Sequence, residues 1–205
     1  MCLSPNSSEY HHEQNSGQSS LVVAQTLAVH CGQPHDQARL AAYKLELLLA
    51  QVSAVQLLPG AAALLHHLSH QGIPWAVVSN GPAAFIAGVL AHHCGIQPRT
   101  IIGCRPDLAP KPAPDPYLLG AIRLGMADPT LITVYEDSPL GIQAASRAGM
   151  RVIGITTSHP ASRLEAAGAV ACVSSLADIS CSESSISFAS PNESPLRAAT
   201  RASLR

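Results

Sequence analysis

The hydrophobic rhythm of this chain changes once between two polar ends. From Leu21 to Gln51 apolar residues recur at mixed three- and four-residue steps, as at Leu40, Tyr43, Leu47 and Ala50, which is the spacing of amphipathic helices. Cys31-Gly-Gln-Pro34 interrupts the stretch, so it predicts two helices. Beyond Pro59 short apolar runs alternate with helix-period segments, which predicts a parallel sheet with helices on both faces. Helices are expected over 61–70, 82–94, 115–125, 139–148 and 162–167, and strands over 73–78, 100–103, 131–135, 151–156 and 169–173. Pro59 at the start and Gly72 past the end bracket the first of these helices. Residues 1–20, rich in Ser, Asn, Gln and His, and residues 180–205, rich in Ser and Pro and ending in Arg197, Arg201 and Arg205, lack periodicity and read as a disordered leader and tail.

Three segments fall at the C-terminal ends of predicted strands, where doubly wound sheets place ligands. Ser79-Asn80-Gly81 follows a buried strand and precedes a helix, so backbone N–H groups and the Ser79 hydroxyl can converge on an anion. Ordinary helix capping by Ser79 or Asn80 would use the same residues. Lys111 stands in a turn stiffened by Pro112, Pro114 and Pro116, ahead of a helix, and could present its ammonium to an anion. It is one of only two lysines, the other being Lys44. Glu136 and Asp137 end a strand and precede Pro139, a pairing that suits a hard, oxygen-seeking cation; acidic capping of the next helix is the plainer alternative.

Composition narrows the classes. A chain of 205 residues with 47% hydrophobic content can bury one α/β core but not two large domains. A formal charge of −1 provides no basic field for nucleic acid, and no apolar run reaches the roughly 20 residues of a membrane span. Six cysteines without a C-x-x-C spacing, and no recognisable targeting segment, fit a reduced, cytoplasmic setting. His66, His67 and His70 share a predicted helix but lack the glutamate of a metalloprotease motif, and read as a solvated face. There is no Gly-x-Ser-x-Gly elbow, Walker loop or dinucleotide fingerprint.

Taken in order, Ala76-Val-Val-Ser-Asn-Gly-Pro82, Lys111-Pro-Ala-Pro-Asp-Pro-Tyr117 and Val134-Tyr-Glu-Asp-Ser-Pro-Leu-Gly141 running on to Met150 resemble the haloacid dehalogenase superfamily, in its phosphoglycolate phosphatase, sugar-phosphatase and β-phosphoglucomutase branch. The resemblance implies an α/β doubly wound core over 59–179 with a partial helical cap over 21–58. It implies a Mg²⁺-dependent phosphatase acting on small phosphorylated metabolites. Ser79, Asn80 and Gly81 would bind phosphate, Lys111 would bind it and neutralise its charge during catalysis, and Glu136 and Asp137 would hold the metal.

The family also opens with Asp-x-Asp-Gly-Thr on a central strand, the first aspartate acting as nucleophile and metal ligand and the second as acid and base. Aspartates stand at positions 36, 107, 115, 128, 137 and 178, and no two are separated by a single residue. Two functional readings follow. One is a phosphatase impaired by the missing pair, with weak Mg²⁺ binding. The other is a non-catalytic pseudo-phosphatase or truncated gene product that binds a phosphate ligand or a protein partner. Loss of the central strand would leave two open strand edges, to be filled by Leu21-Val-Val-Ala24 or by a partner completing the sheet.

Overall fold

The computed structural model describes residues 37–181 and 186–188. The leader, the first expected cap helix and Leu21–Ala24 lie outside them. The second expected cap helix is α1 (Gln37–Ala50), which leads through a 3-10 turn (Val52–Ala54) to α2 (Ala61–His70). The core then runs β1 (Val77–Val78), α3 (Ala83–Cys94), β2 (Ile101–Ile102), α4 (Asp115–Arg123), β3 (Thr133–Glu136), α5 (Pro139–Arg147), β4 (Arg151–Ile155), α6 (Ala161–Ala166) and β5 (Ala171–Val173). No helix among the described residues is long and apolar enough to cross a membrane.

The alternation of side chains along each strand explains why helices cover both faces. On β1, Val77 packs with Leu90, Cys94 and Ile96 toward α2 and α3, while Val78 packs against the cluster of Tyr117, Ala121 and Val134 on the opposite face. On β4, Val152 joins that same cluster and its neighbour Ile153 joins Ile155 and Val173 on the other side. Helix α5 contributes Ile142, Ala144 and Ala145, all without exposed surface. Its small residues let it lie close to the sheet. Burying a side chain of the size of Ile142 contributes about 1.5–3 kcal/mol.

The strands form two parallel groups. β1 pairs with β2 (Val77↔Ile101, Val78↔Ile102), and β3, β4 and β5 form a second sheet in that order, starting from Thr133↔Arg151 and ending at Ile155↔Val173. The N–H groups of Val77 and Ser79 donate to Thr100 and Ile102 on the β2 side. By strand alternation the polar groups of Val78 face the other way, toward the cleft that separates β1 from β3. Among the described residues no strand lies between them.

Three expectations about element limits are corrected. The strand expected over 73–78 is only Val77–Val78, because the Ile73 N–H closes α2 on the Leu68 carbonyl (2.9 Å) and Pro74 has no N–H to give a ladder. The strand expected from 131 begins at Thr133, because Asp128 caps the Thr130 N–H (2.9 Å) and winds Pro129–Leu131 into a 3-10 turn. The tail expected to be disordered from 180 opens instead with an antiparallel pair, β6 (Ile179–Cys181) and β7 (Ile186–Phe188), whose apolar residues alternate with Ser180 and Ser187.

Gly60 shows how closely the loops around the cleft approach one another. It adopts φ +85°, and a Cβ there would overlap the backbone of Ala177. Beside it the Ser175 hydroxyl donates to the Pro59 carbonyl at 3.0 Å.

Candidate active site

An open cleft of about 440 Å³ lies at the C-terminal ends of β1 and β3. Its polar end is formed by Ser79, Asn80, Gly81, Lys111, Glu136 and Asp137, so the structure brings together every site residue expected from the sequence. Val77, Val78, Tyr135 and Ile155 form part of its apolar wall.

The turn after β1 is held by its own side chains. Ser79 Oγ accepts the Gly81 N–H at 3.0 Å, which leaves its hydroxyl proton to be donated. Buried Asn80 uses Oδ1 to accept the Lys111 backbone N–H at 3.2 Å, tying this turn to the next. That second turn, with a cis Lys111–Pro112 peptide, is also anchored by Arg147 of α5, whose guanidinium donates to the Pro112 carbonyl at 2.8 Å. Backbone position and side-chain direction of Lys111 are therefore both set by contacts remote in sequence.

Lys111 is buried, with 5% of its side chain exposed, and forms an ion pair with Glu136. Its ammonium also donates to the Val78 carbonyl and to Tyr117 Oη, each at 3.0 Å, and lies 4.7 Å from the Tyr117 ring centroid. Glu136 Oε1 accepts from Lys111 and, at 2.9 Å, from the Tyr117 hydroxyl. Oε2 accepts from the N–H groups of Asp137 and Ser138 at 3.0 Å and from the Ser138 hydroxyl at 3.1 Å. Burial by itself would raise the Glu136 pKa, but the Lys111 charge and these donors outweigh it and hold the carboxyl below its ordinary value. Burial, followed by the charge and hydrogen bond of Glu136, pushes the Tyr117 hydroxyl well above the usual tyrosine range. The resting site thus combines an ionised carboxylate with a protonated phenol.

Gly141 makes this packing possible. A methyl on its Cα would overlap the Glu136 carboxylate, so only glycine lets the first turn of α5 close over it. Ser138 caps the same helix by accepting the Gly141 N–H at 3.0 Å.

The two expected metal ligands differ sharply in their surroundings. Glu136 has protein donors on both oxygens, whereas Asp137, at the mouth of the cleft, accepts one side-chain hydrogen bond, from Ser158 at 2.9 Å. Among the described residues no three His, Cys, Asp or Glu side chains are grouped as a metal site. A Mg²⁺ ion here would be held by one protein carboxylate, that of Asp137.

Tyr117 and Ser158 were not singled out from sequence. Tyr117 closes the lysine segment as an apparent core aromatic in the first turn of α4, and only its contact with Lys111 and Glu136 reveals the use of its hydroxyl. Ser158 reaches Asp137 across 21 residues, a juxtaposition no local pattern announces.

Hexitol phosphatase A of Escherichia coli K12 is 39% identical over 120 residues, covering 56% of this chain and 52% of that protein. Validoxylamine A 7'-phosphate phosphatase of Streptomyces hygroscopicus subsp. limoneus is 33% identical over 137 residues, covering 62% of this chain and 64% of that protein. The match therefore spans between half and two thirds of these relatives' lengths. Among solved structures, CbbY from Rhodobacter sphaeroides in complex with phosphate superposes with a TM-score of 0.68 at 25% identity, over 83% of this chain and 79% of that one. In sequence the chain resembles sugar-phosphate phosphatases. The haloacid dehalogenase-like hydrolase family model matches residues 6–149, and the chain belongs to that family.

Proposed function

We propose that the cleft binds the phosphoryl group of a small phosphorylated metabolite of the sugar-phosphate type, and that these 205 residues hold it without efficient turnover. The observation that carries the reading is the meeting of Ser79, Lys111 and Asp137 in one cleft at the ends of two parallel strands. Ser79, Asn80 and Gly81 form the phosphate turn, and Lys111 supplies the cation. Asp137 is the residue that would hold Mg²⁺, which would supply charge neutralisation to a bound phosphoryl group. Glu136 is reassigned from metal ligand to holding Lys111, because its oxygens already carry protein donors. The names of the hexitol and validoxylamine phosphatases favour a polyhydroxylated phosphate ester as ligand. Efficient turnover is excluded from the reading because no Asp-x-Asp occurs in the sequence to supply the family's nucleophile and acid.

Calorimetric titration with inorganic phosphate and with a hexitol phosphate, with and without Mg²⁺, tests this beside an assay of phosphate release. The expected result is binding that Lys111→Met abolishes, a Mg²⁺ enhancement that Asp137→Asn removes, and release at background. Release above background that disappears in Asp137→Asn would overturn the non-catalytic part. Absence of any phosphate binding by the folded protein would overturn the whole.

A second reading, a partner that completes the sheet, is favoured by the Val78 carbonyl on the open side of β1, which among the described residues is satisfied by a lysine side chain and not by a strand. Sedimentation at increasing concentration, repeated with Val78→Pro, which removes the outward N–H of β1 along with the Val78 side chain and is checked for folding by circular dichroism, tests it for a second copy. Self-association weakened by the proline is expected. A monomer at all concentrations would exclude this chain as its own partner.

A further inference from the structure

The Lys111 ammonium has three N–H bonds and the fold supplies three acceptors, the Val78 carbonyl, Tyr117 Oη and Glu136 Oε1. A lysine so saturated has no proton to offer an anion. Giving up Tyr117 alone would leave the ammonium tethered to Val78 and Glu136, so turning it toward an entering phosphoryl group requires that the Glu136 bond be given up. Releasing Glu136 is the demanding exchange, because that carboxylate is only 9% exposed and an ionised oxygen left there without a donor would be strongly unfavourable.

Tyr117 resolves this conflict. Its hydroxyl accepts from Lys111 and at the same time donates to Glu136 Oε1 at 2.9 Å. Oε2 keeps its own donors from Asp137 and Ser138 whatever Lys111 does. With Tyr117 in place, each Glu136 oxygen retains a donor after the lysine turns away. The phenol is suited to the task, being 5% exposed and fixed in the first turn of α4.

We propose that Tyr117 is a positioning residue for ligand binding: its hydroxyl is the reserve donor that keeps Glu136 satisfied while Lys111 turns toward an entering phosphoryl group. The proposal rests on the phosphate reading above and adds the residue that lets the lysine change partners. Removing the hydroxyl frees one lysine N–H, but it faces the Tyr117 ring position and not the ligand, and it leaves Lys111 as the one donor to Oε1, so the ammonium stays held on Glu136 and does not turn. A hydrogen bond to a charged group is worth enough that Tyr117→Phe should weaken phosphate binding by roughly ten- to a hundredfold.

The test is calorimetric titration of inorganic phosphate into the full chain as wild type, Tyr117→Phe, Lys111→Met and the double variant, with circular dichroism checking each fold. Expected are weakened binding in Tyr117→Phe, abolished binding in Lys111→Met, and no further loss in the double variant. A Tyr117→Phe protein that binds like wild type overturns this inference and leaves the phosphate reading intact. A folded wild type that binds no phosphate overturns the phosphate reading, and this inference with it. Should Tyr117→Phe fail to fold, the wild type decides through two NMR signals. With Lys44 and Lys111 the only lysines, the Lys111 Nζ resonance is readily assigned. On phosphate addition it should shift while the Glu136 carboxyl stays ionised. Proton uptake by Glu136 on binding, or an unmoved Lys111 signal in the bound protein, would overturn the reserve-donor role.

Discussion

Substituting Lys111→Met or Glu136→Gln removes one half of an ion pair whose side chains are 5% and 9% exposed. The partner left behind meets few waters. Breaking a buried pair from one side costs about 3–5 kcal/mol, most of it the penalty on the uncompensated group. At about 2–4 °C per kcal/mol for a chain of this size, each single variant should melt roughly 6–20 °C below wild type. The double variant removes both charges at once, so its loss should fall short of the sum of the singles by about 2–3 kcal/mol. Urea unfolding at pH 7, followed by fluorescence of Trp75, the one tryptophan in the chain, measures all four corners. Single losses under about 1 kcal/mol, or a double loss equal to their sum, would refute the view that the two residues act as one buried unit. A single variant that fails to fold while the double variant folds would fulfil the prediction in stronger form. The acid side provides a second check. Because the folded Glu136 pKa lies below its ordinary 4.5, unfolding takes up a proton at low pH. The pair's contribution is therefore present above about pH 4.5 and is lost as pH falls through the folded value. Glu136→Gln should lack that part of the acid transition.

Gly141→Ala should destabilise by about 1–3 kcal/mol through overlap with the Glu136 carboxylate, and thermal unfolding should show most of that loss vanishing in a Glu136→Ala background. Equal losses in both backgrounds would show that the glycine acts through something else. Ile142→Ala, at a position with no exposed surface, should cost about 2–5 kcal/mol in urea unfolding. Ile122→Ala, where the side chain is 72% exposed, should stay within about 0.5 kcal/mol, and a comparable loss at both would contradict the assigned core.

Much of the fold is legible in the sequence, and for a local reason. Helix periodicity and strand runs arise from neighbouring residues, so α2 was read with its observed limits and α3, α4 and α5 within one or two residues at their ends. Differences cluster where a backbone group is already committed: Ile73 to the end of α2, Thr130 to its Asp128 cap, Ile179–Cys181 to partners five to nine residues on. Such commitments depend on which donor finds which acceptor. Apolar run length does not report them.

The site divides in the same way. Sequence by itself determined that Ser79, Lys111, Glu136 and Asp137 stand at the ends of alternating strands and that no Asp-x-Asp accompanies them, because motif spacing and residue counts are properties of the chain alone. Tertiary structure decided which partners each carboxylate meets. Glu136 and Asp137 are adjacent in sequence, yet strand direction sends the first under Gly141 to Lys111 and Tyr117, and leaves the second at the mouth of the cleft beside Ser158. Alternation along a strand separates neighbours onto different surroundings, and a carboxylate's role follows from the donors that surround it. Those donors come from residues between 1 and 25 positions away, and only the folded chain brings them together.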